Sequence, residues 1–337
     1  MSHEIENASR FYTLREPAWH RLGYVSDTPL ALEEALKAAD MDFEWDLHPV
    51  HSTVVTEHGV ELLDIPDKYA VVRTNKANNK RDAYGPVGKR FTPHTLGEIF
   101  SFIDHLQGGG AVIETLGSLG RGEREFVVVR LPDTVMVGGQ DRSNLYLTGT
   151  TAFDGTQSTE FDLTAIRIVC ANTWKWAKDE SKARAKVRHT SSLDVSDLEK
   201  ARRVLDLSTS MAESMQALGN RLLGVTLSDA DAATVVSTLF PFPDNVKPGM
   251  SLDMLSAGEK RAVSTAQTNR QKVYTLYKGS PTAPGGDNGW NLFNAVTEYA
   301  DWFSPVRGDD KDAARAERIL LGGMDTIKDR ALELLLV

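Results

Sequence analysis

The stretch AVIETLGSLGRGEREFVVVRL, residues 111–131, decides the fold. Two apolar, β-branched runs, Ala111 to Leu119 and Glu125 to Leu131, flank the tip Gly120-Arg121-Gly122-Glu123-Arg124. Glycines at such a tip supply the backbone freedom that a turn needs, so the stretch reads as a long β-hairpin. Downstream, Asn144 to Phe153 and Glu160 to Cys170 are two more strands, joined through Asp154-Gly155, a tight-turn dipeptide. Upstream, Phe43, Trp45 and Leu47 alternate with Glu44 and Asp46, the pattern of a strand with one buried face. Thr53 to Val55 and Tyr69 to Thr74 read as further strands, and Asn75 to Lys80 as a polar turn.

Two helices interrupt this β-rich half. Pro29 to Met41 carries the stripe Leu30, Leu32, Ala35, Leu36 and Ala39, with Thr28 as its expected cap. Thr92 to Leu106 places Ile99, Phe102, Ile103 and Leu106 on one face and ends at Gly108-Gly109-Gly110. After Thr173 the period changes. Ser196 to Leu223, Asp229 to Leu239, Ala257 to Tyr277, Asn291 to Phe303 and Lys311 to Leu336 have helical spacing. Strands first and helices later predict an α+β fold, with an antiparallel, hairpin-rich N-terminal half packed against a helical C-terminal half. The expected division is 1–190 and 191–337, the two parts forming one unit.

The chain has 337 residues, 41% hydrophobic and 25% charged, which excludes disordered and fibrous classes. No apolar run approaches the roughly 18 residues that span a bilayer, and the polar start lacks the pattern of a secretory signal. A single cysteine, Cys170, excludes an internal disulfide and fits a reducing cytoplasm, that of the host cell if the protein is phage-encoded. The net charge of −9 excludes an indiscriminate polyanion binder, but it is uneven. Residues 1–66 hold 4 Lys/Arg against 13 Asp/Glu, residues 67–190 hold 18 against 14, and residues 191–337 hold 16 against 20. Only the β-rich middle is net basic.

No nucleophile elbow, phosphate loop or dinucleotide fingerprint is present, and nothing calls for a cofactor. His48, His51 and His58 match no standard metal-ligand spacing, and no metal is expected. A nucleophilic pair of Cys170 with His189 competes with a simpler reading, in which Cys170 ends an apolar strand as a small hydrophobe. Arg167 interrupts the face made by Phe161, Leu163, Ala165 and Val169. It is either a structural ion pair, with Asp154, Glu298 or Asp301 as candidate partners, or an anion contact. Lys175, Lys178, Lys182 and Lys186 would share one face if the segment is helical, with Arg184, Arg188 and His189 close by and Trp174 and Trp176 just before. With Lys89-Arg90-Phe91 and the Arg121/Arg124 tip, they suit a groove that follows a phosphate backbone and stacks bases. A solvated helix face with its tryptophans in the core is the alternative.

Several blocks carry a resemblance: Pro17-Ala18-Trp19-His20-Arg21-Leu22-Gly23, Phe153-Asp154-Gly155, Arg167 to Thr173, Arg188-His189-Thr190 and Trp290 to Asp301. Together they are similar to the phage/plasmid-like proteins of unknown function. The resemblance spans residues 17 to 301 and implies a mobile-element origin without supplying an activity. That family commonly has histidine where Phe153 and Trp302 stand, so any chemistry resting on those histidines is absent from this chain.

These readings predict a non-enzymatic, phage- or plasmid-encoded protein that binds single-stranded DNA in annealing, recombination or replication. The expected contacts are Lys89, Arg90, Arg121, Arg124, Arg167, Lys175, Lys178, Lys182, Arg184, Lys186 and Arg188. A second expectation is an enzyme for a small or nucleotide ligand, with Arg167, Asn172, His189, Glu298 and Asp301, and Asp154 nearby, converging between the halves. A third is a host-factor-binding protein that uses the acidic first 66 residues. A homo-oligomer is compatible with each; a membrane partner is not expected.

Overall fold

The structure is a computed structural model that describes residues 10–14, 23–99, 101, 103–167, 173–175, 184–189, 197–247, 250–281, 283–307, 311, 315, 318 and 325–336. Among the described residues two sheets form. The larger is built from β1 (Phe11–Leu14), β2 (Tyr24–Ser26), β6 (Val112–Leu119), β7 (Arg124–Val137), β8 (Asp141–Ala152), β9 (Thr159–Arg167), β10 (Thr173–Lys175) and β11 (Arg184–Val187). Its order is β10-β9-β8-β7-β6-β1-β2, with β11 also on β9. All neighbours are antiparallel except β1 and β2, which run parallel. The smaller sheet is β3 (Phe43–Thr56), β4 (Gly59–Asn75) and β5 (Arg81–Gly88), antiparallel in that order.

The 111–131 hairpin sits at the centre. Val127 and Val129 of β7 and Leu145 and Leu147 of β8 point to one face, and that face is where the helices lie. The helices are α1 (Leu32–Ala38), α2 (Leu96–Ile99), α3 (Ile103–Gly108), α4 (Asp197–Leu223), α5 (Asp229–Leu239), α6 (Ala257–Gly279), α7 (Gly289–Glu298) and α8 (Asp325–Leu336), with a π-turn at Tyr299–Phe303. Met211, Met215 and Leu222 of α4, with Trp290, Leu292 and Phe293 of α7, join the sheet valines in one core cluster. That cluster crosses residue 190, so the strands and the helices share their buried surface. The fold is therefore α+β, a β-rich N-terminal half carrying a helical C-terminal half.

The helix starts follow capping chemistry. Ser228 accepts from the Asp231 amide while the Asp231 carboxylate accepts from the Ser228 amide, and Ser256 with Glu259 repeats the device. Other expectations give way. The α1 cap is Ala31, not Thr28. The helix expected over 92–106 is two short pieces, α2 and α3. In the segment whose lysines would share a face if it were helical, the described residues form β10 and β11, whose backbones pair with β9.

Gly219 fixes how closely α4 meets the sheet. A Cβ there would run into the Val137 side chain of β7. Alanine in an open helix gains about 1 kcal/mol over glycine. Overpacking typically costs about 1–3 kcal/mol. Gly219→Ala is therefore expected to lower stability by about 1 kcal/mol, against its helix propensity, and Gly219→Val by more; urea unfolding measures both.

Candidate functional site

β5 ends at Gly88, and the Phe91 amide donates to the Gly88 carbonyl at 3.0 Å, turning the chain. Lys89 and Arg90 stand exposed on that turn. Phe91 then stacks on His189, with ring centroids 4.5 Å apart, and His189 stacks on His94 at 4.8 Å. The Thr92 amide donates to the His189 carbonyl, and His189 Nδ1 lies 3.0 Å from the Thr92 carbonyl, to which it donates. These bonds clamp two segments nearly 100 residues apart. Exposed Arg188 precedes His189, and exposed Lys89 and Arg90 precede Phe91, so the stack joins the two basic stretches.

The buried side of the stack is polar. His94 Nδ1 is 3.4 Å from Thr159 Oγ1, and the Thr159 and Thr151 hydroxyls pair at 3.0 Å. Burial pushes the His189 imidazole below its ordinary value; its bond to the Thr92 carbonyl opposes this and nearby His94 reinforces it. His189 is therefore neutral at pH 7, a flat ring between two others and not a cation.

Arg121 lies at the same end. The Tyr84 hydroxyl of β5 donates to the Arg121 carbonyl at 3.0 Å. Gly120 and Gly122 both take positive φ there, and the Glu123 carboxylate accepts from the Arg121 amide at 2.6 Å. A Cβ on Gly120 would strike that carboxylate, so the tip needs glycine. The Phe153 amide donates to the Glu123 carbonyl at 2.8 Å, and Asp154 accepts from the Thr156 amide and hydroxyl, making a local turn. Trp45 stacks on Phe153 at 3.5 Å, joining the small sheet to this end.

The other expected contacts fall along one edge. β11 pairs with the start of β9, Arg184 opposite Asp162 and Lys186 opposite Glu160. β10 pairs with its end, Lys175 opposite Thr164. Arg188, Lys186, Arg184 and Lys175 thus follow one another down the β9 edge of the large sheet, and Arg167 is the last residue of β9. Arg124 begins β7, half-buried. Lys178, Lys182 and Asn172 lie outside the described residues.

Of the five residues expected in a pocket, His189 and Arg167 lie far apart, and Asn172 is outside the described residues. His94 ties His189 to Thr159, while Arg167 is eight positions further along an extended strand. At about 3.3 Å per residue that is roughly 26 Å. Glu298 accepts from the Ser280 hydroxyl at 2.9 Å, and Asp301 is ion-paired with Lys328 at 2.5 Å. On the small sheet, His51 Nδ1 lies 2.7 Å from Asp64. Among the described residues no group of three or more His, Cys, Asp or Glu is placed to hold a metal ion, and no helix is long and apolar enough to cross a membrane.

The model of the family described as domain of unknown function DUF932 matches residues 83–320. The chain belongs to the DUF932 family. The matched span takes in the Lys89 turn, the β6–β7 hairpin, the β9 edge, α4 and Trp290, and it leaves out β1 to β4 and α1. No curated protein and no solved structure matches the chain.

One group of residues was not singled out from sequence, the aromatic stack itself. Phe91 stands out in sequence for its neighbouring charge, and His189 for that, for a pairing with Cys170 and as a pocket candidate. Nothing in the local pattern says that they meet.

Proposed function

We propose that this DUF932 protein is encoded by a phage or plasmid and binds single-stranded DNA, in annealing, recombination or replication, without being an enzyme. The observation that carries the reading is the clamp between Phe91 and His189. It gathers Lys89, Arg90 and Arg188 around a half-exposed aromatic ring and continues into a sheet edge bearing Lys186, Arg184 and Lys175. A row of cations suits a phosphate backbone, and a ring held in a stack suits a base. The mobile-element origin rests on the resemblance of the sequence blocks.

Fluorescence anisotropy with a labelled single-stranded oligonucleotide tests it. With about four phosphate contacts, the logarithm of affinity is expected to fall against the logarithm of salt with a slope of about −3. Arg90→Glu with Arg188→Glu is expected to weaken binding at least tenfold and to flatten that slope by about half. Absence of binding at low salt, where phosphate contacts are strongest, would refute the reading.

A further inference from the structure

The small sheet ends in an arm. β3 and β4 run for 14 and 17 residues, far beyond the reach of β5, which pairs only with Lys68 to Thr74. At the limit of β5 the register breaks. Pro49 faces Tyr69, and the next pair is His51 with Asp64, so β4 spends extra residues there. Asp67 takes a left-handed φ of 56° inside this bulge. Such bulges bend and twist a ribbon. Beyond it, His51 to Thr56 pairs with Gly59 to Asp64, and no other strand pairs with either among the described residues.

This ribbon is ordered without a core. Val55 is 80% exposed, Val60 68%, Leu62 63%, Leu63 46% and Ile65 40%. The register places Val55 opposite Val60 and Thr53 opposite Leu62. The three most exposed apolar side chains therefore share one face. An isolated two-stranded hairpin is marginal in water, and open edges with apolar faces invite pairing. A ribbon built this way has something to lie against.

We infer that the arm of one copy docks, by its Val55–Val60–Leu62 face, on the body of a second copy, and that the two copies exchange arms about a twofold axis. Charge selects the partner. Between residues 49 and 67 the chain has Glu57, Glu61, Asp64 and Asp67 and no Lys or Arg, while residues 67–190 are net basic. Arm against arm would place like charges together; arm against the partner's β-rich middle, the net basic section, places opposite ones. Area selects the symmetry. A ribbon about 20 Å long and about 10 Å wide covers too little by itself for a stable interface. Two reciprocal contacts double it to roughly 800 Å² counted on both partners, the scale of a weak interface. A twofold exchange supplies both from one surface pair.

Sedimentation velocity and light scattering on the full chain over a concentration series test this. The wild type is expected to pass from monomer to dimer as concentration rises through the series. Val60→Glu with Leu62→Glu, both at exposed sites, is expected to weaken dimerisation at least tenfold with an unchanged circular-dichroism spectrum. Replacing residues 51–66 by Asn-Gly, which closes the hairpin at its base, is expected to give a monomer. A wild type monomeric throughout, or a dimer whose constant is the same in both variants, overturns the inference. A monomer whose arm binds a different protein overturns it as well. Anisotropy with single-stranded DNA on the same samples scores the proposed function separately, since Val60 and Leu62 lie on the arm and not at the Lys89–Arg188 end.

Discussion

Lys328→Met is expected to cost about 3–5 kcal/mol of folding stability. Lys328 Nζ and Asp301 Oδ1 stand 2.5 Å apart with side chains only 5% and 1% exposed. Asp301 lies on the π-turn after α7, and Lys328 on α8. The pair therefore braces the last helix against the helix that carries Trp290. Methionine replaces the lysine stem but leaves a carboxylate in the interior without its ammonium, and breaking a buried pair at one end is the expensive way to break it. The brace has other members: the Arg315 guanidinium donates to the Asp301 carbonyl at 2.9 Å, and Arg318 donates to the Ser304 hydroxyl at 2.5 Å. Adding Asp301→Asn removes the charge that the lysine balanced and is expected to recover about 2 kcal/mol. Urea unfolding of the two single variants and the double variant gives the coupling directly. A Lys328→Met variant within about 1 kcal/mol of wild type would show that the pair is not holding α8.

The fold was legible where a period was strong. The 111–131 hairpin, the Asp154-Gly155 turn and the helices at 197–223, 229–239 and 257–279 all lie where alternation or a 3.6-residue stripe placed them, because one face of each is buried and the sequence records which. The arm was not legible as one element. Thr53 to Val55 reads as a strand, but Gly59 to Asp64 carries Val60, Leu62 and Leu63 among acidic residues with no buried face to organise them. A strand exposed on both faces leaves no alternation to find. The segment around 175–189 misled for a related reason. Its lysines sit at helical spacing, yet the open edge of β9 offers backbone partners, and tertiary pairing outweighs local preference. The basic end was legible in its parts. Lys89, Arg90, Arg121 and Arg188 were each visible as charges beside aromatics or glycines. That a His189–Phe91 stack and a Tyr84 hydroxyl would gather them depends on contacts between distant segments, which spacing does not encode.

Arg73 makes the second large prediction, because its cluster lies between the basic tip and the base of the arm. It lies on β4, 1% exposed, with its guanidinium 4.4 Å from the Phe43 ring centre, 5.4 Å from Tyr84 and 5.9 Å from Trp45, and 2.7 Å from Asp82. A planar cation among aromatic faces is stabilised by the rings and by its carboxylate together. Arg73→Met is expected to cost about 3 kcal/mol, the low end for a buried pair because Asp82 still reaches water. Arg73→Lys keeps the charge but not the plane, and is expected to cost about 1–2 kcal/mol. Acid separates the ionic part. Burial raises the Asp82 carboxyl, but the hydrogen bond and charge of Arg73 outweigh it and hold the group below its usual 3.8. A carboxyl depressed by folding adds stability above its unfolded value and loses it as pH falls through the folded one. Wild type should therefore lose part of its stability below about pH 4, and Arg73→Met should lose less over the same range. The same substitution reaches outward. Trp45 stacks on Phe153 and Tyr84 carries the Arg121 carbonyl, so loosening Arg73 loosens the basic tip; β3 and β4 continue into the arm, so it loosens the arm's base too. Single-strand affinity and dimerisation are both expected to fall severalfold in Arg73→Met, although Arg73 touches neither surface. If stability falls and both functions persist, the two surfaces are positioned independently of this cluster.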